Sequence, residues 1–158
     1  MASTEKNITL EEELNLTRRY LDIEKLRLGN RLQLRWNVDE LPKDASVPRL
    51  ILQPLLENAI YHGIEPMSHG GTIGIDGHLY DHEIFITISN PLPGKTDQEQ
   101  RQGNKIAQDN VRQRLAAIYG EKGKLSVQES DQDYITTLII PRQHSNHSKD
   151  ASTGNSAT

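Results

Sequence analysis

The stretch VPRLILQPLLENAIYHGI, residues 47–64, decides how this chain reads. Leu52, Leu55, Leu56, Ala59 and Ile60 recur at helical spacing and form one apolar stripe. Pro48 suits a first helical turn, where its missing N–H costs nothing. Pro54 lies deeper, removes one backbone bond and should bend the helix. Gly63 can stop the helix in a left-handed conformation. Asn58 and His62 stand four residues apart, so they share a face beside the stripe. Glu57 and Tyr61 share another, about 100° further round. A half-buried carboxamide needs a partner, because an unpaired one costs about 1–3 kcal/mol. Two readings fit: Asn58 caps a neighbouring loop and His62 is an edge histidine, or both face a bound ligand or ion.

The 158 residues suit one domain with a proper core. A net charge of -4, with scattered basic residues, argues against a nucleic-acid surface. The absence of cysteine excludes disulfides and thiol chemistry. No apolar run is long enough to cross a bilayer, and no signal peptide opens the sequence.

Residues 1–8 are polar and expected to fray. Thr9 and Glu12 form a capping box that opens a helix to about Leu28. Leu10, Leu14, Thr17, Leu21 and Leu28 make one stripe of that helix, and Leu16, Tyr20 and Ile23 a second. The second stripe faces a missing segment, a second subunit or more of the same domain. Gly29-Asn30 breaks the helix, and RLQLRWNV, residues 31–38, alternates as a strand. Beyond the organising helix, residues 72–80 and 83–89 read as strands joined by a tight turn at Asp81-His82. Residues 90–102, NPLPGKTDQEQRQ, read as a loop long enough to act as a lid. A helix follows over 106–119, then a hairpin of strands 124–129 and 134–140, closed by Pro141. Residues 143–158 are rich in Ser, Asn, His and Thr and read as a disordered tail. The fold class is therefore α/β: a two-layer sandwich, its sheet mixed and mostly antiparallel, with helices on one face.

Walker, GxSxG and HExxH motifs are absent. His78 and His82 straddle a hairpin, which speaks against zinc, and His144 and His147 lie in the tail. What remains is an ordered set: LLENAIYHG on a helix, ISNPLPG at a strand end, a lid, and GNKIAQDNVRQRL opening a helix. This set resembles the ATP-binding domain of sensor histidine kinases. It looks most like the LytS-type family, in its AlgZ/FimS alginate-regulation branch, from about Leu10 to Pro141. LQPLLENA paired with a downstream NVRQRL is the specific signal.

The resemblance implies the Bergerat nucleotide-binding fold, shared with gyrase, Hsp90 and MutL, with ATP and Mg2+ as cofactors. By analogy Asn58 ligates magnesium and His62 sits near the phosphates. Asn90 takes the place of an adenine-reading aspartate, residues 91–102 form the lid, and residues 103–110 wrap the phosphates. Gly94, Gly103, Lys105, Asn110 and Arg112 fall on the nucleotide-binding motifs. One Asn suffices for magnesium, which fills its other positions with phosphate and water, and a helix N-terminus favours phosphate. The base of gyrase-like relatives falls at Pro54 here. Glu57, the nearest carboxylate to a catalytic position, precedes Asn58 by one residue and acts on magnesium-bound water or lies on the surface.

Departures from the family are equally plain. DxGxG is Asn90-Pro91-Leu92-Pro93-Gly94 here, so the adenine acceptor is uncharged. That loses about 1 kcal/mol, or about fivefold in affinity. GxGxGL is Gly103-Asn104-Lys105-Ile106-Ala107-Gln108, with two glycines replaced. Tyr61 stands where a lysine often does, and Lys105 restores a cation. No NPHFLFN-like phosphoacceptor motif is present.

The implied protein is a two-component sensor kinase at the bacterial inner membrane, of which this chain is a cytoplasmic portion. Residues 1–28 end the dimerisation region, 29–142 are the catalytic domain and 143–158 the tail. The kinase passes the γ-phosphate to a histidine outside the fragment, then to a LytTR-type response regulator. It works as a homodimer, without nucleic acid, and meets the membrane only through segments not in this sequence. The alternative is a degenerate, pseudokinase-like module that relays signals without using ATP. A free-standing serine kinase of the anti-sigma type is a third reading, opposed by the LytS-like first helix.

Overall fold

The computed structural model describes residues 6–93 and 98–143, without the side chains of 98–101. Strand β1 (Asn7–Thr9) leads into helix α1 (Leu10–Leu28). The expected capping box is present, with the Glu12 N–H donating to Thr9 Oγ1 at 3.1 Å. Gly29, at φ 61, ends the helix. Strands β2 (Leu32–Asn37) and β3 (Ser46–Pro48) follow. Of the residues expected to fray, Asn7 and Ile8 instead pair antiparallel with Pro48 and Val47 of β3, and residues 1–5 lie outside the described residues.

The organising helix is shorter than its sequence suggests. Helix α2 runs only Gln53–Asn58 and continues as a π-helical segment, Ala59–Ile64. Pro48 lies in β3 rather than in a first helical turn. The cause is remote. The buried Glu13 carboxylate on α1 accepts the N–H groups of Leu50 at 2.7 Å and Leu52 at 3.0 Å. Leu50 is held at φ 58, which no helix tolerates. From the far side, Arg114 donates to the carbonyls of Leu50 at 2.9 Å and Arg49 at 2.6 Å. Pro54 therefore sits in the first turn and starts the helix instead of bending it. Gly63 is not left-handed, and the π turn closes through the Glu65 N–H on the Ile60 carbonyl at 3.0 Å.

Strands β4 (Gly71–Tyr80) and β5 (Glu83–Pro91) meet at Asp81-His82, both with positive φ, as a tight hairpin requires. Strand β5 runs on through Asn90 and Pro91, which the sequence placed in a loop. They pair with Tyr134 and Asp133, and proline is tolerated at this strand end. Helix α3 (Gln98–Tyr119) begins well before the expected 106, so residues 98–102 and 103–110 are helical rather than lid and phosphate-wrapping loop. The run QEQRQ consists of good helix formers, and a single interior Gly103 costs only about 1 kcal/mol. Strands β6 (Lys124–Glu129) and β7 (Asp133–Pro141) complete the chain.

The sheet order is β2-β4-β5-β7-β6, with β2 parallel to β4 and the other pairs antiparallel. Ile84, Ile86, Ile88 and Asn90 are buried while the residues between them are partly exposed, so helices cover one face. That is the expected mixed, two-layer α/β sandwich. Leu10, Leu14, Leu21, Leu52, Leu56, Val111 and Leu115 join this face in one core, so α1 packs with α2 and α3. Of its second stripe, Leu16 and Tyr20 are half-buried, Tyr20 against the core, and Ile23 is 65% exposed; Leu26 beside them is 86% exposed.

Candidate functional site

Once Leu52 is tied to Glu13, the stripe Leu52, Leu55, Leu56, Ala59 and Ile60 is committed to the core. Asn58 and His62 are left at its edge. The π segment begins at the residue after Asn58, and such turns are frequent at functional sites. Asn58 is partly buried and stands between two spaces.

The outer space is an open cleft of about 460 Å³ between α1, α2 with its π segment, and α3. Tyr20, Glu24 and Arg27 line it from α1, Glu57, Asn58, Tyr61 and His62 from the organising helix, and Gly103, Ile106 and Asn110 from α3. Arg27 pairs with Glu24 at 2.6 Å and Glu65 at 2.5 Å, tying α1 to the end of the π segment. Burial pushes the Tyr20 phenol up to about 12, so it stays neutral at the cleft wall.

The inner space lies between Leu55, Ala59, Asn90, Tyr134 and Thr136, and α3 closes it with Asn104 and Gln108. Only about 10 Å³ is left open, about the room one water needs. The Asn58 Nδ2 donates to Asn104 Oδ1 at 2.7 Å, and Gln108 Nε2 donates to the Tyr134 hydroxyl. Burial raises the Tyr134 pKa to about 12, which keeps that hydroxyl neutral. Asn90, 6% exposed, donates to the Pro91 carbonyl at 2.9 Å. It fits only because residue 63 is glycine: a Cβ there would stand 2.4 Å from Asn90 Nδ2. Gly103 meets the same demand on α3, where a Cβ would stand 2.8 Å from His62 Nε2.

Of the residues singled out from sequence, Asn58, His62 and Asn90 converge on the inner pocket. Asn58, His62, Glu57, Gly103 and Asn110 converge on the outer cleft. Glu57 is exposed and accepts from Gln53 Nε2 at 3.4 Å. Lys105 is exposed and lines neither space. Arg112 turns toward β6, donating to the Leu125 carbonyl at 3.2 Å and pairing with Asp109 at 3.5 Å. Gly94 and residues 144–158 lie outside the described residues. Tyr134 and Thr136 were not read as site residues, and Asn104 and Gln108 were read only as part of the stretch 103–110 around the phosphates. The signal for Thr136 was available: it shares the inward face of β7 with Leu138 and Ile140, and a polar residue there marks a pocket. Among the described residues no three His, Asp or Glu side chains gather as a metal centre. A cation here would rest on the Asn58 oxygen and on its ligand, the donor set that magnesium accepts.

A five-stranded mixed sheet with helices over one face and a polar cleft beside its central helix is the fold of histidine kinase catalytic domains. The catalytic domain of histidine kinase ThkA superposes with a TM-score of 0.63 at 15% identity, covering 89% of this chain and 97% of that one. ThkA has also been solved in complex with the response regulator protein TrrA. Full-length ShkA in complex with AMPPNP gives a TM-score of 0.63 at 15% identity, over 92% of this chain and 32% of that one. In sequence the chain is similar to LytS-type sensor kinases in particular. It is 29% identical to sensor protein LytS of Oceanobacillus iheyensis over 151 residues, 88% of this chain and 26% of that protein. It is 30% identical to sensor histidine kinase YesM of Bacillus subtilis over 135 residues, 84% of this chain and 23% of that protein. The chain thus spans about a quarter of the length of these curated relatives. No protein-family model matches it.

Proposed function

We propose that this chain is the ATP-binding catalytic part of a LytS-like sensor histidine kinase, serving transfer of the γ-phosphate to a histidine outside residues 1–158. The observation that carries the reading is the position of Asn58, on the organising helix between a polar cleft and a pocket walled by Asn90 and Thr136. Asn58 offers the carboxamide oxygen that would hold Mg2+ beside the phosphates, and the ion would neutralise charge during phosphoryl transfer. His62 and Gly103 bound the phosphate side, and Lys105, which lines neither space, would reach the phosphates only once the first turns of α3 move. Asn90 accepts from the adenine amine. The chain's own contribution is positioning and charge neutralisation. Residues 1–28 would belong to the dimerising region of the intact homodimer, with Ile23 and Leu26 facing the partner. A LytTR-type response regulator would take the phosphoryl group. The resemblance also supports an inner-membrane setting and the alginate-regulation branch.

A specific observation favours the second reading, a relay module that does not use ATP: Asn104 and Gln108 fill the inner pocket. Ligand-linked stability separates the two. A hundredfold excess of Mg-ATP over its dissociation constant stabilises a binding chain by about 2.7 kcal/mol. Denaturant melts with and without Mg-ATP read that shift directly. No shift at several millimolar nucleotide selects the relay module.

A further inference from the structure

We propose that the first turns of α3, residues 103–110, are a built-in competitor of the nucleotide; the inference rests on the reading of Asn58 as a nucleotide-site residue. Asn104 lies within 2.7 Å of Asn58, in front of the side chain assigned to the ion. Gln108 reaches across the inner pocket to Tyr134, and the space left, about 10 Å³, holds a water but no purine ring. Binding therefore requires these turns to leave.

The helix is built in two unequal halves. Beyond residue 110, Val111, Leu115 and Tyr119 are buried in the core. Over 103–110 Asn104 alone is buried, Lys105 and Asn110 are exposed, and Ile106 is 64% exposed. Among the described residues, the Asn58–Asn104 and Gln108–Tyr134 hydrogen bonds and the close approach of Gly103 to His62 hold this half, with little buried apolar surface, so it releases more cheaply than the anchored half. Closure lowers the apparent affinity by the fraction of molecules that are open. It also lets whatever loosens α3 raise that affinity, without any change in the site itself.

Calorimetric titration of the full chain with Mg-ATP tests this. Asn104→Ala, which removes the clamp, is expected to bind about two- to tenfold tighter than the unaltered chain. Ala107→Gly, which loosens the helix without touching the clamp, is expected to bind about fivefold tighter. Nuclear Overhauser contacts between the Asn58 and Asn104 side chains should be present in the free chain and lost on saturation with Mg-ATP. Binding to the unaltered chain that both variants leave equal or weaken overturns the competitor and leaves the nucleotide reading standing. So does an Asn58–Asn104 contact that survives saturation. Silence of all three proteins at several millimolar Mg-ATP overturns the nucleotide reading and the competitor with it.

Discussion

Gly63 and Glu13 show how single side chains set the site. At Gly63 the demand is space, since a Cβ would stand 2.4 Å from Asn90 Nδ2 and 3.0 Å from the Pro91 carbonyl oxygen. Gly63→Ala should destabilise the fold by about 1–3 kcal/mol, read from the denaturant midpoint. The sequence marked Gly63 as special but for the wrong cause, a left-handed stop, because the approach of β5 is not written locally. Glu13 is a carboxylate at 0% exposure, tied to Leu50 and Leu52. Burial raises its pKa above 4.5, and the backbone N–H groups and Arg114 counter only part of that rise. The folded state then holds this proton more tightly than the unfolded one. Its contribution is fully present below the unfolded value and is lost as pH rises through the raised folded value. Glu13→Gln should lower stability by about 1–3 kcal/mol, because one acceptor is lost, and should remove that acidic-range slope. Melts from pH 4 to 7 check both effects.

At the scale of elements, apolar periodicity was legible and long-range polar ties were not. The buried stripes of α1 and α2, the Asp81-His82 hairpin and the β6–β7 hairpin all follow from local pattern. The start of α2 does not, because Glu13 and Arg114 fix it from far along the chain. The early start of α3 was hidden by Gly103, which reads as a breaker but is a contact residue here. Unequal anchoring of α3 makes a prediction of its own. Leu115→Ala should cost about 2–5 kcal/mol in global stability, whereas Ile106→Ala should stay within about 0.5 kcal/mol. Paired denaturant curves distinguish an anchored half from a docked one.

For the molecule as a whole, the sandwich was read from the order and periodicity of the elements and the resemblance to LytS-type kinases from LQPLLENA and NVRQRL; the topology agrees with the sandwich. Of the site, Asn58 was legible as a polar residue set in an apolar run, His62 by its four-residue spacing from Asn58, and Asn90 only through the family resemblance. Thr136 was missed although its inward place on β7 was readable, and Asn104 and Gln108 were read only within the phosphate-wrapping stretch, because α3 reaches the inner pocket only through tertiary packing. The proposed nucleotide site and its proposed closure both depend on the carboxamide of Asn58. The most direct test is calorimetric titration of the chain with Mg-ATP beside Asn58→Ala. The account predicts saturable binding by the unaltered chain and none by the variant. Equal binding by the two would contradict it, as would silence of the unaltered chain at several millimolar nucleotide.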